Sequence, residues 1–294
     1  MRHAERIVRG AHARGELWTP APGLLGLRGP ALRTLRAIES AIASLCQVEQ
    51  PDEWLVPPAL PLEALERAGY FASFPQWLTL ASHLTSDATA LERIAASDHP
   101  ARDAAVAGAP ASAALPPAVC YHVYAALADS VVRSPRLVTA QGYCWRHEGD
   151  ELAPLRRGWA FTMRELVCIG TEADCLAFRD RGLTAARALA SRLNLAFTVV
   201  AAEDPFFAPS ARGRALLQRL KELKLELRLD IGDGDSVAAA SFNLHERFFG
   251  EAFGIRLRDG SPAFTACVAF GLERWLLASM SAACSEATSM EART

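Results

Sequence analysis

A membrane span, a disulfide framework and a large charge imbalance are all missing from this chain of 294 residues, and each absence narrows its function. No apolar run approaches the roughly 20 residues that a bilayer-crossing helix needs. The amino terminus, MRHAERIVRG, also lacks the apolar core of a secretory leader. A cytoplasmic protein with no membrane partner is expected. The cysteines Cys46, Cys120, Cys144, Cys168, Cys175, Cys267 and Cys284 are odd in number and form no C-x-x-C pair, which argues against a stapled secreted scaffold. Most of them read as small core residues, with one or two available as metal ligands. Charge nearly balances, 31 basic residues against 33 acidic, so bulk electrostatics does not suit a duplex nucleic acid. Any anionic partner must meet a local patch.

What is present is a chain with 51% hydrophobic residues, long for one compact domain and short for two large ones. The expected division is a helical amino-terminal extension over 1–55 and a main domain over 56–294. Leu32, Leu35, Ile38 and Ile42 predict a helix over 30–46, and a second helix follows the proline cluster VPPALP at 62–68. The Ala-, Pro-, Asp- and Gly-rich stretch 95–117 reads as a long irregular connection. Beyond it come a helix over 117–132, a hairpin of strands at 137–148 and 158–169, and a helix at 184–193. A strand at 196–202 and a helix at 210–223 follow. Three strands at 224–231, 237–244 and 264–270 then lead into a helix opening at Gly271. Consecutive strands with short returns predict an α+β fold, an antiparallel sheet with helices packed against it.

The hairpin carries charges where a sheet should be apolar. Arg146 and Glu148 lie two apart, and Arg157, Phe161 and Glu165 are spaced by four, so in strands each set shares a face. Two readings compete. One is a solvated face laced by cross-strand ion pairs. The other is a nucleotide site, with arginine gripping phosphate by its fork and the ring stacking on a base.

The pattern Arg146-x-Glu148, a loop, then Arg157-x-x-x-Phe161-x-x-x-Glu165 resembles the second signature motif of class II aminoacyl-tRNA synthetases. AFGLERW, 269–275, resembles their third, a strand leading into a helix that carries Arg274. More narrowly the chain is similar to the amino acid:carrier-protein ligases, relatives of the atypical seryl-tRNA synthetases of methanogens. Cys120 in PPAVCYHVY, Glu165, and Cys267 in FTACVAFGLER carry that narrower likeness. The resemblance implies a class II synthetase-like catalytic domain that forms an aminoacyl-adenylate from ATP and a small amino acid, glycine or alanine. It makes Arg146, Glu148 and Arg274 catalytic. Arg146 would bridge the amino-acid carboxylate and the α-phosphate, Glu148 would read the adenine amino group and Phe161 would stack on the ring. Arg157 would approach the γ-phosphate and Arg274 would cover the nucleotide from the opposite side. Ser241, Asn243 and Glu165 would face the amino acid; for Asn243 and for His245 a capping or core role stands beside a pocket role.

Cys120, Glu165 and Cys267 would hold one zinc ion per chain. Two thiolates and a carboxylate suit that metal, and three protein ligands leave the fourth tetrahedral position open for an amine. Against this stands the ordinary fate of a free cysteine as a small buried residue. Magnesium is expected beside the phosphates, yet Val237-Ala238-Ala239-Ala240 stands where the class commonly places its magnesium-binding acid, leaving Asp230, Asp233 or Asp235 as substitutes. Ala269 also stands where the third motif usually has glycine.

The acceptor implied is the phosphopantetheine thiol of a small acidic carrier protein. The first hundred residues show neither a coiled-coil arm nor a basic stripe, so tRNA is not expected. A tRNA-charging enzyme of seryl type, or a catalytically silent paralogue serving as a regulatory subunit, are the alternatives. In the helix over 210–223, Arg212 and Arg219 flank one side of a leucine stripe, and Arg214 and Lys221 flank the other. They read as solvated cations or, by the resemblance, as the carrier-docking surface. A homodimer is implied as well, with 62–75 as its interface motif.

Overall fold

The computed structural model describes residues 2–204, 207 and 221–291. Its centre is a sheet of seven strands: β1 (Asp52–Leu55), β2 (Arg136–Trp145), β3 (Ala160–Gly170), β4 (Phe197–Ala201), β5 (Lys224–Gly232), β6 (Asp235–Glu246) and β7 (Phe264–Gly271). Their spatial order is β4-β5-β6-β7-β3-β2-β1. Every pairing is antiparallel except that of β1 with β2, which runs parallel from Asp52 opposite Val138 to Leu55 opposite Gln141. The helices are α1 (His3–Ala13), α2 (Gly29–Gln47), α3 (Leu62–Arg67), α4 (Tyr70–Ser73), α5 (Cys120–Ala126), α6 (Glu172–Arg192), α7 (Phe248–Ala252) and α8 (Leu272–Glu291), with two further short ones at Ala88–Ala95 and Pro100–Val106. The expected α+β architecture is therefore what the chain adopts. Among the described residues no helix is long and apolar enough to cross a membrane.

Strand alternation sorts the sheet into two faces. Leu166 and Cys168 of β3 and Ala266, Val268 and Phe270 of β7 pack in one large core with Phe178 and Leu189 of α6 and Trp275 and Leu276 of α8. The intervening residues, Glu165 and Val167 of β3 and Cys267 and Ala269 of β7, turn to the opposite face. The first fifty-odd residues belong to the same core: Ala11 of α1, and Ala31, Ile38, Ile42 and Cys46 of α2, are buried in it.

Several expected elements differ. Helix α6 starts at Glu172, well ahead of 184, because Thr171 and Asp174 form a reciprocal capping box: the Thr171 hydroxyl accepts from the Asp174 N–H, and the Asp174 carboxylate accepts from the Thr171 N–H. Helix α5 is shorter than 117–132; it ends at Ala126, and Asp129 turns the chain with φ 56°. The connection at 95–117 is not irregular throughout, since Ala113–Leu115 pairs with Leu60–Pro61 and Thr79–Ala81 in a small sheet. The segment 62–75 holds two short helices, and the strand that follows it, Thr79–Ala81, belongs to the small sheet and not to the central one. A helix leading to a strand that ends ahead of proline is found instead in α2, β1 and Pro57.

Candidate active site

The face of the sheet away from the large core floors a cavity of about 410 Å³, within the range of small-molecule sites. At one end, β3 and β7 present Glu165 and Cys267 on the same face, two steps apart on the ladder, since Cys267 pairs with Val167 and Ala269 with Glu165. The first residue of α5 brings Cys120 over them. One ligand atom from each of the three lies within 4.8 Å of the others, and all three are buried.

The electrostatics of this trio is strained in a way that a cation would relieve. Glu165 Oε1 accepts the Val119 N–H at 2.8 Å, while buried Oε2 has no protein partner. Burial, followed by the charge of Cys267, pushes the Glu165 carboxyl up to about 8. A hydrogen bond from Cys120 draws the Cys267 thiol well below its ordinary value against burial, and the Cys120 thiol is raised correspondingly. Asn243 Nδ2 lies 3.3 Å from Cys267 Sγ and His245 Nε2 lies 3.8 Å from it. These β6 side chains therefore support the sulfur; Asn243 also donates to Ser241 Oγ at 3.1 Å. Two soft sulfurs and an orphaned carboxylate oxygen form a donor set that fits zinc.

At the other end stand the residues of the hairpin. Arg146 and Glu148 lie just past the end of β2, and Arg157 lies ahead of β3, so the shared-strand-face argument does not hold for them. The loop brings them together by another route: Arg157 Nε pairs with Glu148 Oε2 at 3.0 Å, and Arg157 also pairs with Glu151. Arg146 donates from Nε to the Pro117 carbonyl at 2.9 Å and lies 5.5 Å from the Phe161 ring and 5.7 Å from the Trp77 ring. Arg274, in the first turn of α8, is fixed by donation to the Arg156 carbonyl (2.9 Å) and the Ala238 carbonyl (2.8 Å). Burial and the nearby Arg146 pull its guanidinium below the usual value. Phe161, Arg146, Glu148, Arg157, Ser241, Asn243 and Arg274 all line the cavity that Cys120, Glu165 and Cys267 close.

Ala269 sits in extended β7, paired with Ser241 and Glu165, and is not among the residues with positive φ, so this position makes no demand for glycine. Asp230, Asp233 and Asp235 do not line the cavity. Asp235 is bound by Arg156, Asp233 accepts the His3 N–H, and Asp230 accepts the Gly232 N–H. Of the acids that do line it, Glu226 of β5 is cross-strand from Ser241. Two further lining residues escaped the sequence reading. Glu273 takes the Thr162 N–H on both carboxylate oxygens at 2.9 Å, tying α8 to β3, and Tyr70 of α4 forms part of the wall. Of the four basic residues expected to dock a partner, Arg212, Arg214 and Arg219 lie outside the described residues. Lys221 pairs with Glu246 at 2.8 Å.

No family model matches the chain. Amino acid–[acyl-carrier-protein] ligase 1 of Bradyrhizobium diazoefficiens is 35% identical over 225 residues, 76% of this chain and 68% of that protein. Ligase 2 of the same organism is 34% identical over 251 residues, covering 82% and 73%. The type-2 serine–tRNA ligase of Methanopyrus kandleri is 31% identical over 178 residues, 55% of this chain and 33% of the ligase. Among solved structures, the M. kandleri seryl-tRNA synthetase in complex with a tRNA superposes with a TM-score of 0.83 at 22% identity, over 94% of this chain and 56% of the synthetase. Prolyl-tRNA synthetase of Cryptosporidium parvum gives 0.70 at 15% identity, over 94% and 51%. These superpositions place the fold among the class II synthetases.

Proposed function

Since the chain belongs to the amino acid–[acyl-carrier-protein] ligase family, we propose that it couples ATP to the loading of a small amino acid, glycine first and alanine second, onto a carrier protein. The observation that carries this reading is the single cavity with a sulfur–carboxylate trio at one end and a ring-and-arginine clamp at the other. In the first half-reaction a carboxylate oxygen of the amino acid attacks the α-phosphorus of ATP, and pyrophosphate departs. In the second, the phosphopantetheine thiolate of a small acidic carrier attacks the acyl carbon and AMP departs.

The residues divide the labour by position. Cys120, Glu165 and Cys267 would hold zinc, which when bound supplies an open position for the α-amino group and so selects an amino acid over a plain carboxylic acid. Arg146 is held by the Pro117 carbonyl, three residues ahead of Cys120, where a fixed cation offsets charge on the carboxylate and α-phosphate as they approach. Phe161 and Arg274 bracket the adenine, and Glu148 and Arg157 meet its amino group and the γ-phosphate. Among the described residues the acids on this side of the cavity already have cationic partners: Asp204 pairs with Lys224 and Glu246 with Lys221. Glu226 is shared between Lys224 and Arg228, and Glu148 is taken by Arg157. Magnesium would arrive on the phosphates themselves.

Incubation with ATP, glycine or alanine, and a phosphopantetheine-bearing carrier should add one aminoacyl mass to the carrier arm, released by hydroxylamine. A carrier that stays unloaded while tRNA becomes charged would favour the tRNA ligase reading instead.

Metal removal should also lower stability. Glu165 is pushed up to about 8 while Cys267 is drawn below its ordinary value; as pH rises from about 4.5 to 8 the first contribution to stability falls and the second grows, so the two offset. The clear signature is therefore the metal itself: chelator-stripped protein is expected to melt at a lower temperature than zinc-loaded protein across that range, because the ligands are assembled only in the folded state. Coincident melting curves for the two forms would contradict a metal held by the trio.

A homodimer follows from the same reading, joined along β1. This strand is an edge of the sheet, and its last residue, Leu55, is 98% exposed. Light scattering at micromolar concentration should give about twice the chain mass of 31.7 kDa, and Leu55→Arg should shift it to one. A monomeric wild-type protein would refute this.

A further inference from the structure

Tyr70 opens the short helix α4 and is only 3% exposed. Its ring is fixed on two sides, 5.6 Å from Phe74 and 5.8 Å edge-on to Tyr121. Phe74 in turn stacks on Trp77, the ring beside which Arg146 lies. One rigid aromatic wall thus runs from Tyr70 to the arginine. The packing needs only a phenyl ring, yet the residue carries a hydroxyl, and that buried oxygen has no hydrogen-bond partner. An orphaned polar group in a packed wall is costly and calls for an explanation.

Among the described residues that line this cavity, Glu165 and Tyr70 each carry a buried oxygen without a partner, Oε2 and Oη. A metal accounts for the first. Arg146 acts on both, but for the second it is the foremost charge, followed by Glu148, Cys144 and Asp204. It therefore belongs to the part of the cavity that surrounds Arg146. Burial pushes this phenol up to about 12, so it keeps its proton at neutral pH and can only donate to an anion.

We propose that the Tyr70 hydroxyl is a substrate-binding donor that, alongside Arg146, hydrogen-bonds the anionic oxygen of the amino-acid carboxylate and then of the acyl-phosphate in the adenylate. The inference rests on the ligase reading and names a residue of its site.

The test is Tyr70→Phe, which deletes one oxygen and keeps the ring. If the hydroxyl waits for a ligand, ligand-free Tyr70→Phe melts at the same temperature as wild type or higher, because an unpaired polar atom has been removed. Calorimetry with the glycyl and alanyl sulfamoyl analogues of the adenylate should show affinity weakened roughly ten- to a hundredfold, the loss expected for a hydrogen bond to a charged group. Adenosine affinity and zinc content should be unchanged. A lower melting temperature for the ligand-free variant would mark a structural hydroxyl and overturn the inference, as would equal analogue affinity in variant and wild type. Wild-type protein that binds neither analogue would bring down the ligase reading, and this inference with it.

Discussion

Serine at position 267 is expected to empty the metal site and stop amino-acid activation in the same variant. Wild-type protein should carry about one zinc per chain, held by Cys120, Glu165 and Cys267. The Cys267→Ser change is nearly isosteric, and Asn243 can still donate to the new oxygen, so the sheet should stand. What is lost is the thiolate, which the surroundings draw down and which Asn243 and His245 support. Loss of a partner that merely orients a ligand costs about 10–100-fold in metal affinity or activity; loss of a ligand should therefore cost more than about 100-fold in both. Cys120→Ser should behave alike. A zinc-free variant that still forms adenylate at the wild-type rate would remove the metal from the account.

Arg146→Lys should be almost as damaging for a different reason. The guanidinium is pinned by the Pro117 carbonyl and lies beside the Phe161 and Trp77 rings. Lysine keeps the charge but has neither the planar fork nor the stacking surface, and it leaves the Pro117 carbonyl without its donor. Removing one preorganised donor to developing charge typically costs about 10²–10³ in rate, so pyrophosphate exchange should fall by that factor through kcat, with zinc content unchanged. A variant altered in KM alone, or one that loses its zinc, would show that Arg146 serves binding or the fold of the trio rather than the reacting carboxylate and phosphate.

Comparison of these residues with the sequence shows which kinds of information are local. Strands β2, β3, β5, β6 and β7 were legible to within about three residues at either end, because aliphatic residues alternate along them and short returns separate them. Helix α6 was not. Its buried stripe is narrow, and Gly182 reads as a breaker, although a Cβ there would come 2.7 Å from a Val268 methyl, so glycine serves close helix–sheet packing. The trio of Cys120, Glu165 and Cys267 was legible through family resemblance alone. No local spacing links residues from a helix start and two separate strands that only the sheet register brings into contact. The acids on the phosphate side were not legible either: Asp230, Asp233 and Asp235 stand in only for the acid missing from 237–240, and none of them lines the cavity. A register shift between Leu227 and Arg228 changes which β5 residues face the cavity, and no local pattern announces a bulge. Tyr70 was invisible because an orphaned hydroxyl is a property of three-dimensional packing.

The most direct measurement is ATP–pyrophosphate exchange by the purified protein, with zinc and magnesium present, tried across all the amino acids. The account predicts robust exchange with glycine, weaker exchange with alanine, none with acetate or propionate, and loss of the signal on chelation with recovery on zinc. Exchange driven by a bulky amino acid with glycine ignored would contradict the substrate assignment, and no exchange with any amino acid would contradict the activity itself.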